Sequence, residues 1–142
     1  MNLISTEALK SELEESAADR GRPARILIAD DHEALRRGLK AAMTGAGLQV
    51  CGEAANGKEA VEKTIELEPD LVILDLSMPV MGGFDAAREI LQSAPQVKIV
   101  VFTMHESRQV RDETARIGVH GLAVKSEPLS NLLGTIQTVL GE

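Results

Sequence analysis

The sequence predicts an α/β protein built on a parallel sheet with helices packed on both faces. Three observations carry this. Short apolar runs recur at residues 26–29, 48–53, 71–74, 99–102 and 122–124. All but the second are rich in Val, Ile and Leu without alternation, as strands buried on both faces are. Stretches of helical period and Gly or Pro breakers separate them, so each strand is followed by a crossover helix, which is right-handed in such sheets.

The elements follow in order. Residues 1–24 stand apart, being acidic and Ala-rich and ending in Gly21-Arg22-Pro23. They are expected to be an N-terminal extension, disordered or a short helix, with Leu9 and Leu13 at i, i+4 as a thin apolar stripe and Ser5 as its cap. Such a helix is marginal alone. Its functional reading is a partner-binding or dimerising helix. The folded domain spans 25–142 and begins with the strand at 26–29. Leu35, Leu39, Ala42 and Met43 form the stripe of the next helix. The run at 48–53 is more mixed and predicts an edge strand. Ala60, Val61, Thr64 and Ile65 mark a second helix, before the strand LVIL at 71–74. Phe84, Ala87, Ile90 and Leu91 mark a third, before the strand at 99–102. Residues 107–117 form the most polar helix, with Val110 and Ile117 as its large apolar residues. After the strand at 122–124 and Pro128, the last helix runs over about 129–140.

Composition removes several function classes. A chain of 142 residues is one domain's worth, and 44% hydrophobic with 26% charged residues is ordinary for a globular protein. Apolar runs of strand length exclude a membrane span. No signal peptide is evident, so a cytoplasmic protein is expected. A formal net charge of −7 argues against direct nucleic-acid binding. With 2 Phe and no Trp or Tyr, base-stacking platforms and aromatic cages are absent. A single cysteine, Cys51, excludes an internal disulfide and a cysteine zinc cluster. There is no Walker motif, no GxGxxG, no Cys/His metal spacing and no Ser-His-Asp set.

In doubly wound sheets the site lies outside the carboxyl ends of the strands. Asp30 and Asp31 follow the first strand, Asp75 the third, Thr103 the fourth and Lys125 the fifth. Each has a plain structural reading: Asp30 with Glu33 as a helix-capping pair, Thr103 as a strand end, Lys125 as a solvated charge. Asp75 resists one, because a carboxylate directly after LVIL is desolvated unless something pairs with it. Gathered at one rim, these groups suit phosphoryl transfer. Converging carboxylates attract a hard divalent cation such as Mg²⁺. Asp75 can act as nucleophile toward phosphorus. Lys125 can neutralise a phosphoryl oxygen, and Thr103 can donate a hydrogen bond to another.

The segments ILIADDHEALRRGL, PDLVILDLSMPVMGGFDAAREI, KIVVFTMHE and GVHGLAVKSEP resemble response-regulator receiver domains of two-component systems, closest to the NarL/LuxR type. The resemblance covers about residues 25–140. It implies a flavodoxin-like (βα)5 fold with sheet order 2-1-3-4-5. It implies that Asp75 accepts a phosphoryl group from a histidine kinase or histidine phosphotransfer protein. Asp30, Asp31 and Asp75, with the backbone carbonyl of Ser77, match the Mg²⁺ ligands, Asp31 being the more direct of the acidic pair. Thr103 and Lys125 match the switch hydroxyl and the phosphate-pairing lysine. Pro79 and Gly83 match the loop after the phosphorylated aspartate. The output is a switched surface on the helix after the fourth strand, the fifth strand and the last helix, read by a downstream protein partner. A homodimer is left open, and no turnover enzyme is implied.

Departures matter too. Leu122 fills the slot three residues before Lys125 where an aromatic ring is usual, which predicts altered coupling to the output face. Gly82 stands where Asp is frequent. The stretch Lys125-Ser126-Glu127-Pro128 replaces a Lys-Pro pair. Two alternatives accompany the leading reading: a receiver fragment of a LuxR-type transcription factor, and a degenerate receiver acting as a phosphorylation-independent scaffold. A Mg²⁺-dependent phosphohydrolase is disfavoured by Ser77, where that class carries a second Asp. His105 is either a solvated loop residue or one that tunes water attack. His32 is expected to flank the metal site, His120 has no assigned role, and Cys51 reads as a small buried hydrophobe. Met78, Met81 and Met104 surround the site. Arg36, Arg37 and Lys40 form a basic patch that is either a docking face or a solvated one.

Overall fold

In a computed structural model describing residues 6–141, the element order is α1 (Thr6–Arg20), β1 (Arg25–Ala29), α2 (Glu33–Gly45), β2 (Gln49–Ala54), α3 (Gly57–Leu67), β3 (Leu71–Leu74), α4 (Gly83–Ser93), β4 (Lys98–Thr103), α5 (Arg108–Ile117), β5 (Gly121–Val124) and α6 (Leu129–Leu140). The strands form one sheet of order β2-β1-β3-β4-β5. Every strand pair is parallel, with Ala29 opposite Leu74 and Leu74 opposite Val101. This is the flavodoxin-like order that the resemblance implied, and the mixed strand β2 takes an edge.

Alternation of side chains across the sheet builds two cores. Ile26, Ile28, Leu71, Ile73, Val100 and Phe102 face the layer of α2 and α6. Leu27, Ala29, Val72, Leu74 and Ile99 face the layer of α3 and α4. Strands apolar on both faces are required because helices cover both. Asn56 caps α3 and Ser107 caps α5, each accepting a backbone N–H from the third residue on, Glu59 and Val110.

Three readings change with the structure. Ile65, assigned to an apolar stripe, is 56% exposed, while Ala60, Val61 and Thr64 of the same stripe are buried. The helix turns its i, i+3, i+4 set inward, and Ile65 falls one position beyond it. His120, given no role, accepts the Ile99 N–H at its Nδ1 (3.0 Å) and donates its own N–H to the Ile99 carbonyl, tying the turn before β5 to β4. Cys51 is only half-buried, and its thiol lies 3.5 Å from the Ile26 carbonyl.

The extension forms the helix α1, which packs on α6. Leu9 and Leu13 are fully buried and join the core cluster that holds Leu132, Leu133, Ile136 and Val139. The expected cap, Ser5, lies outside the described residues. Gly21, at φ +76°, follows the helix, and Arg22 then forks onto Asp70 with contacts of 2.7 and 2.9 Å. Asp70 also accepts the Arg25 N–H at 2.7 Å, which fixes the start of β1.

Candidate functional site

The strand order puts β1 beside β3, so the residues just past their ends meet. Backbone bonds carry the ladder beyond each strand: Asp30 N–H to the Ala54 carbonyl, Asp75 N–H to that of Ala29, and Lys125 N–H to that of Thr103, at 2.7 to 3.0 Å. This fixes the backbone at three of the four rim positions before any side chain acts.

The loop after β3 is positioned by close packing. A Cβ on Gly83 would lie 2.2 Å from the Asp75 carbonyl oxygen, and one on Gly57 would lie 2.2 Å from that of Met81. Glycine is required at both for the backbones to approach. Gly57 donates its N–H to Met81 O and Gly83 to Leu76 O, each at 3.1 Å, clamping the loop between α3 and α4. Between these anchors Val80 is held at φ +69°, a strained conformation for a β-branched residue. Met78 and Met81 pack against the α3/α4 core, whereas Met104 is exposed.

Asp30 and Asp75 are 2% and 4% exposed. The Lys125 ammonium lies between them, donating to Asp30 Oδ2 at 2.6 Å and standing 3.2 Å from Asp75 Oδ1. Asp75 Oδ1 also receives the Ser77 N–H at 3.3 Å. Asp75 Oδ2 is buried and has no hydrogen-bond partner among the described residues. Burial, and secondarily the charge of Asp30, push the Asp75 carboxyl above its ordinary range, against the opposing pull of Lys125.

Asp30 does not cap α2. Its Oδ1 accepts the His32 N–H at 2.9 Å, and the N-cap residue is His32, without a side-chain cap bond. His32 Nδ1 lies 3.1 Å from both Asp30 Oδ1 and Asp31 Oδ1, so the imidazole enters the cluster it was expected only to flank. The sequence places Arg36 with Arg37 and Lys40 in a basic patch, either a docking face or a solvated one. Arg36 instead donates to the Asp30 carbonyl at 2.7 Å and to Glu53 at 3.1 Å, bracing the end of β1. No sequence signal separated it from Arg37, which pairs at 3.4 Å with Glu33 on the exposed side.

Thus Asp30, Asp31, Asp75 and Lys125 come together. Thr103 is buried at the same rim, with its hydroxyl turned to the His105 carbonyl at 3.4 Å. Ser77 reaches Asp75 through its backbone. Leu122 is half-buried on β5 opposite Val101. Carboxylate oxygens of Asp30, Asp31 and Asp75 and a nitrogen of His32 lie within 4.8 Å of one another. An oxygen-rich set with one buried oxygen left unpaired fits a hard divalent cation.

Comparison with known proteins agrees with this geometry. Residues 26–137 match the response regulator receiver domain family. The chemotaxis protein CheY of Thermotoga maritima is 40% identical over 115 residues, covering 81% of this chain and 96% of that protein. The response regulator GacA of Pseudomonas viridiflava is 35% identical over 116 residues, covering 81% of this chain but 54% of GacA. The chain therefore spans about half the length of the GacA relatives it matches. Among solved structures, a LuxR-family response regulator from Aurantimonas superposes with TM-score 0.80 at 33% identity, covering 84% of this chain and 86% of that one. CheY of Borrelia burgdorferi, solved in a complex with CheX, BeF3 and Mg²⁺, superposes with TM-score 0.82 at 26% identity, covering 86% of this chain and 92% of that one.

Proposed function

The chain belongs to the response regulator receiver domain family of two-component signalling, and on that premise we propose that Asp75 accepts a phosphoryl group in a Mg²⁺-dependent reaction and thereby switches a protein-binding surface. The observation that carries this is Asp75 Oδ2, a buried carboxylate oxygen with no partner, beside a lysine and two further carboxylates. A purely structural carboxylate would have both oxygens satisfied.

The donor is a phosphohistidine on a histidine kinase or phosphotransfer protein. The unpartnered Asp75 oxygen forms a bond to phosphorus as the P–N bond breaks, and the imidazole leaves and takes up a proton. Asp31 and Asp75, with Asp30 and the Ser77 carbonyl, would hold Mg²⁺. When bound, the ion supplies positive charge against the phosphoryl oxygens. Lys125 already faces Asp75 and balances the charge added there. Thr103, whose bond to the His105 carbonyl is long, turns its hydroxyl to a phosphoryl oxygen. The chain takes the group once per cycle and is not a turnover enzyme. The complex of a CheY from Borrelia burgdorferi with CheX, BeF3 and Mg²⁺ supports binding of a protein partner by a receiver of this fold. Leu122 in place of an aromatic ring alters how the switched surface is coupled to Asp75. The chain's site of action is the cytoplasm, where receivers meet their kinases; among the described residues no helix is long and apolar enough to cross a membrane. A second reading, the receiver part of a longer transcription regulator, rests on the half-length match to GacA.

Intact mass after incubation with acetyl phosphate and Mg²⁺ tests the reaction. One added phosphoryl group is expected on the wild type. It is absent from Asp75→Asn and absent when Mg²⁺ is chelated. Addition to the Asp75→Asn variant at equal yield would overturn the assignment.

A further inference from the structure

His32 stands among the rim carboxylates with no task in the phosphoryl transfer described above. It is the N-cap residue of α2, yet its side chain makes no cap bond. Its Nδ1 lies 3.1 Å from Asp30 Oδ1 and 3.1 Å from Asp31 Oδ1. Asp30 is divided between two neighbours. Its Oδ2 takes the Lys125 ammonium at 2.6 Å, while its Oδ1 takes the His32 backbone N–H at 2.9 Å and faces the imidazole. One ligand atom each from Asp30, Asp31, His32 and Asp75 lie within 4.8 Å of one another. Asp75 is 4% exposed, and its Oδ2 has no hydrogen-bond partner among the described residues.

This spacing suits ligands of one ion. Around a divalent cation with bonds of about 2.1 Å, ligand atoms at right angles are about 3.0 Å apart. Nδ1 and the two carboxylate oxygens already stand at nearly that separation. A single Nδ1 proton serves one acceptor well, whereas equal approach to two carboxylates suits a shared cation. Charge agrees. Asp30, Asp31 and Asp75 against Lys125 leave two negative charges, which one divalent cation neutralises. Access agrees as well. Asp31 and His32 are exposed while Asp30 and Asp75 are buried, so a cation enters from the solvent side. The His32 side chain is 71% exposed and can adjust to the ion without disturbing the core.

An imidazole nitrogen discriminates among cations. Mg²⁺ takes oxygen ligands and keeps several waters, so it gains nothing from a nitrogen that water can replace. Later first-row transition cations do gain from imidazole, and their affinities rise along the row from Mn²⁺ to Cu²⁺. We propose that His32 is a direct metal ligand in this site and sets a preference for a nitrogen-accepting divalent cation of the Co²⁺, Ni²⁺ or Zn²⁺ class over Mg²⁺. This assignment rests on the cation site proposed above and adds to it a fourth side chain and a selectivity.

Isothermal titration of the full chain with Co²⁺, and separately with Mg²⁺, tests this at pH about 8, where imidazole is neutral. The wild type is expected to bind Co²⁺ more tightly than Mg²⁺, with excess Mg²⁺ displacing it. His32→Ala is expected to weaken Co²⁺ binding by about tenfold or more, since losing even an outer-shell partner of a ligand costs about 10–100-fold. Mg²⁺ binding is expected to change by less than about twofold, which also shows that the variant is folded. Equal loss of both cations in the variant would make the role of His32 structural and overturn the proposal. Unchanged Co²⁺ affinity in the variant would overturn it too, and Mg²⁺ binding would then leave the phosphoryl-transfer function standing. A wild type that binds neither cation would overturn both.

Discussion

At the carboxyl ends of β1 and β3, what is buried is charge. Asp30 and Asp75 are almost wholly enclosed, share one lysine, and leave one carboxylate oxygen without a partner. Along α6 the buried groups are leucines, isoleucine and valine, and α1 adds two more leucines from outside the family's boundaries. The two regions are buried to the same degree and contribute to stability with opposite sign. Apolar burial is favourable in proportion to area, whereas an incompletely paired carboxylate raises the free energy of the folded state. On the proposed function the rim keeps that disadvantage because an oxygen already satisfied would be a poor nucleophile. The seam has no comparable reason to carry strain: among the described side chains of α1, Leu9 and Leu13 are fully buried.

The largest expected effect falls on the rim. Lys125→Met leaves two buried carboxylates facing one another without a cation and should lower stability by about 3–5 kcal/mol, as other broken buried pairs do. Urea titration checks this. Excess Mg²⁺ should restore part of the loss, and no recovery would argue against cation binding by these carboxylates. Next comes the seam. Leu13→Ala should cost about 2–5 kcal/mol, the range for truncating a fully buried leucine. A loss at the high end would mean that α1 is bound into the cooperative unit.

Asp75→Asn should go the other way and raise stability by on the order of 1 kcal/mol at neutral pH, because it removes the enclosed charge. The sign of its pH dependence is fixed. The Asp75 carboxyl is raised in the folded state, so the native protein holds a proton there that the unfolded chain has already lost. Wild-type stability should fall as pH rises from the ordinary carboxylate range through the raised folded value, and the advantage of the variant should widen over that window. Parallel urea midpoints of the two proteins from acid to neutral pH measure it. Smallest is Val80→Gly. Relief of the φ +69° backbone should gain up to about 1 kcal/mol, offset in part by the greater freedom of glycine in the unfolded chain. An unchanged thermal midpoint would show that the two opposing terms cancel.

The rim was legible residue by residue because each group sits at or just past the carboxyl end of an apolar strand, where chain order alone decides which edge it reaches. Asp30, Asp31, Asp75, Thr103 and Lys125 needed only the alternation of strands and helices to be placed together. His32 and Arg36 were not legible. Both lie at the start of α2, where a side chain turns inward or outward according to the local helix entry, and no periodicity records that choice. Ile65 shows the same limit from the apolar side: a stripe four residues wide names the face but not its border. His120 was missed because a single imidazole nitrogen met the N–H of a strand that lies 21 residues away in sequence.

The sequence by itself determined the layered α/β architecture and the rim of polar groups, since strand burial and the step from strand to helix are periodic, local properties. It also supplied the leucine pair of α1. Whether that pair met solvent or a core was decided only by the tertiary structure, because two leucines on a marginal helix do not fold alone. They are buried here because α6, distant in sequence and without charge on any face, presents the surface that receives them. The same holds for the unpaired oxygen of Asp75: the carboxylate is written in the chain, but its lack of a partner exists only once β1, β3 and β5 have brought Asp30 and Lys125 beside it.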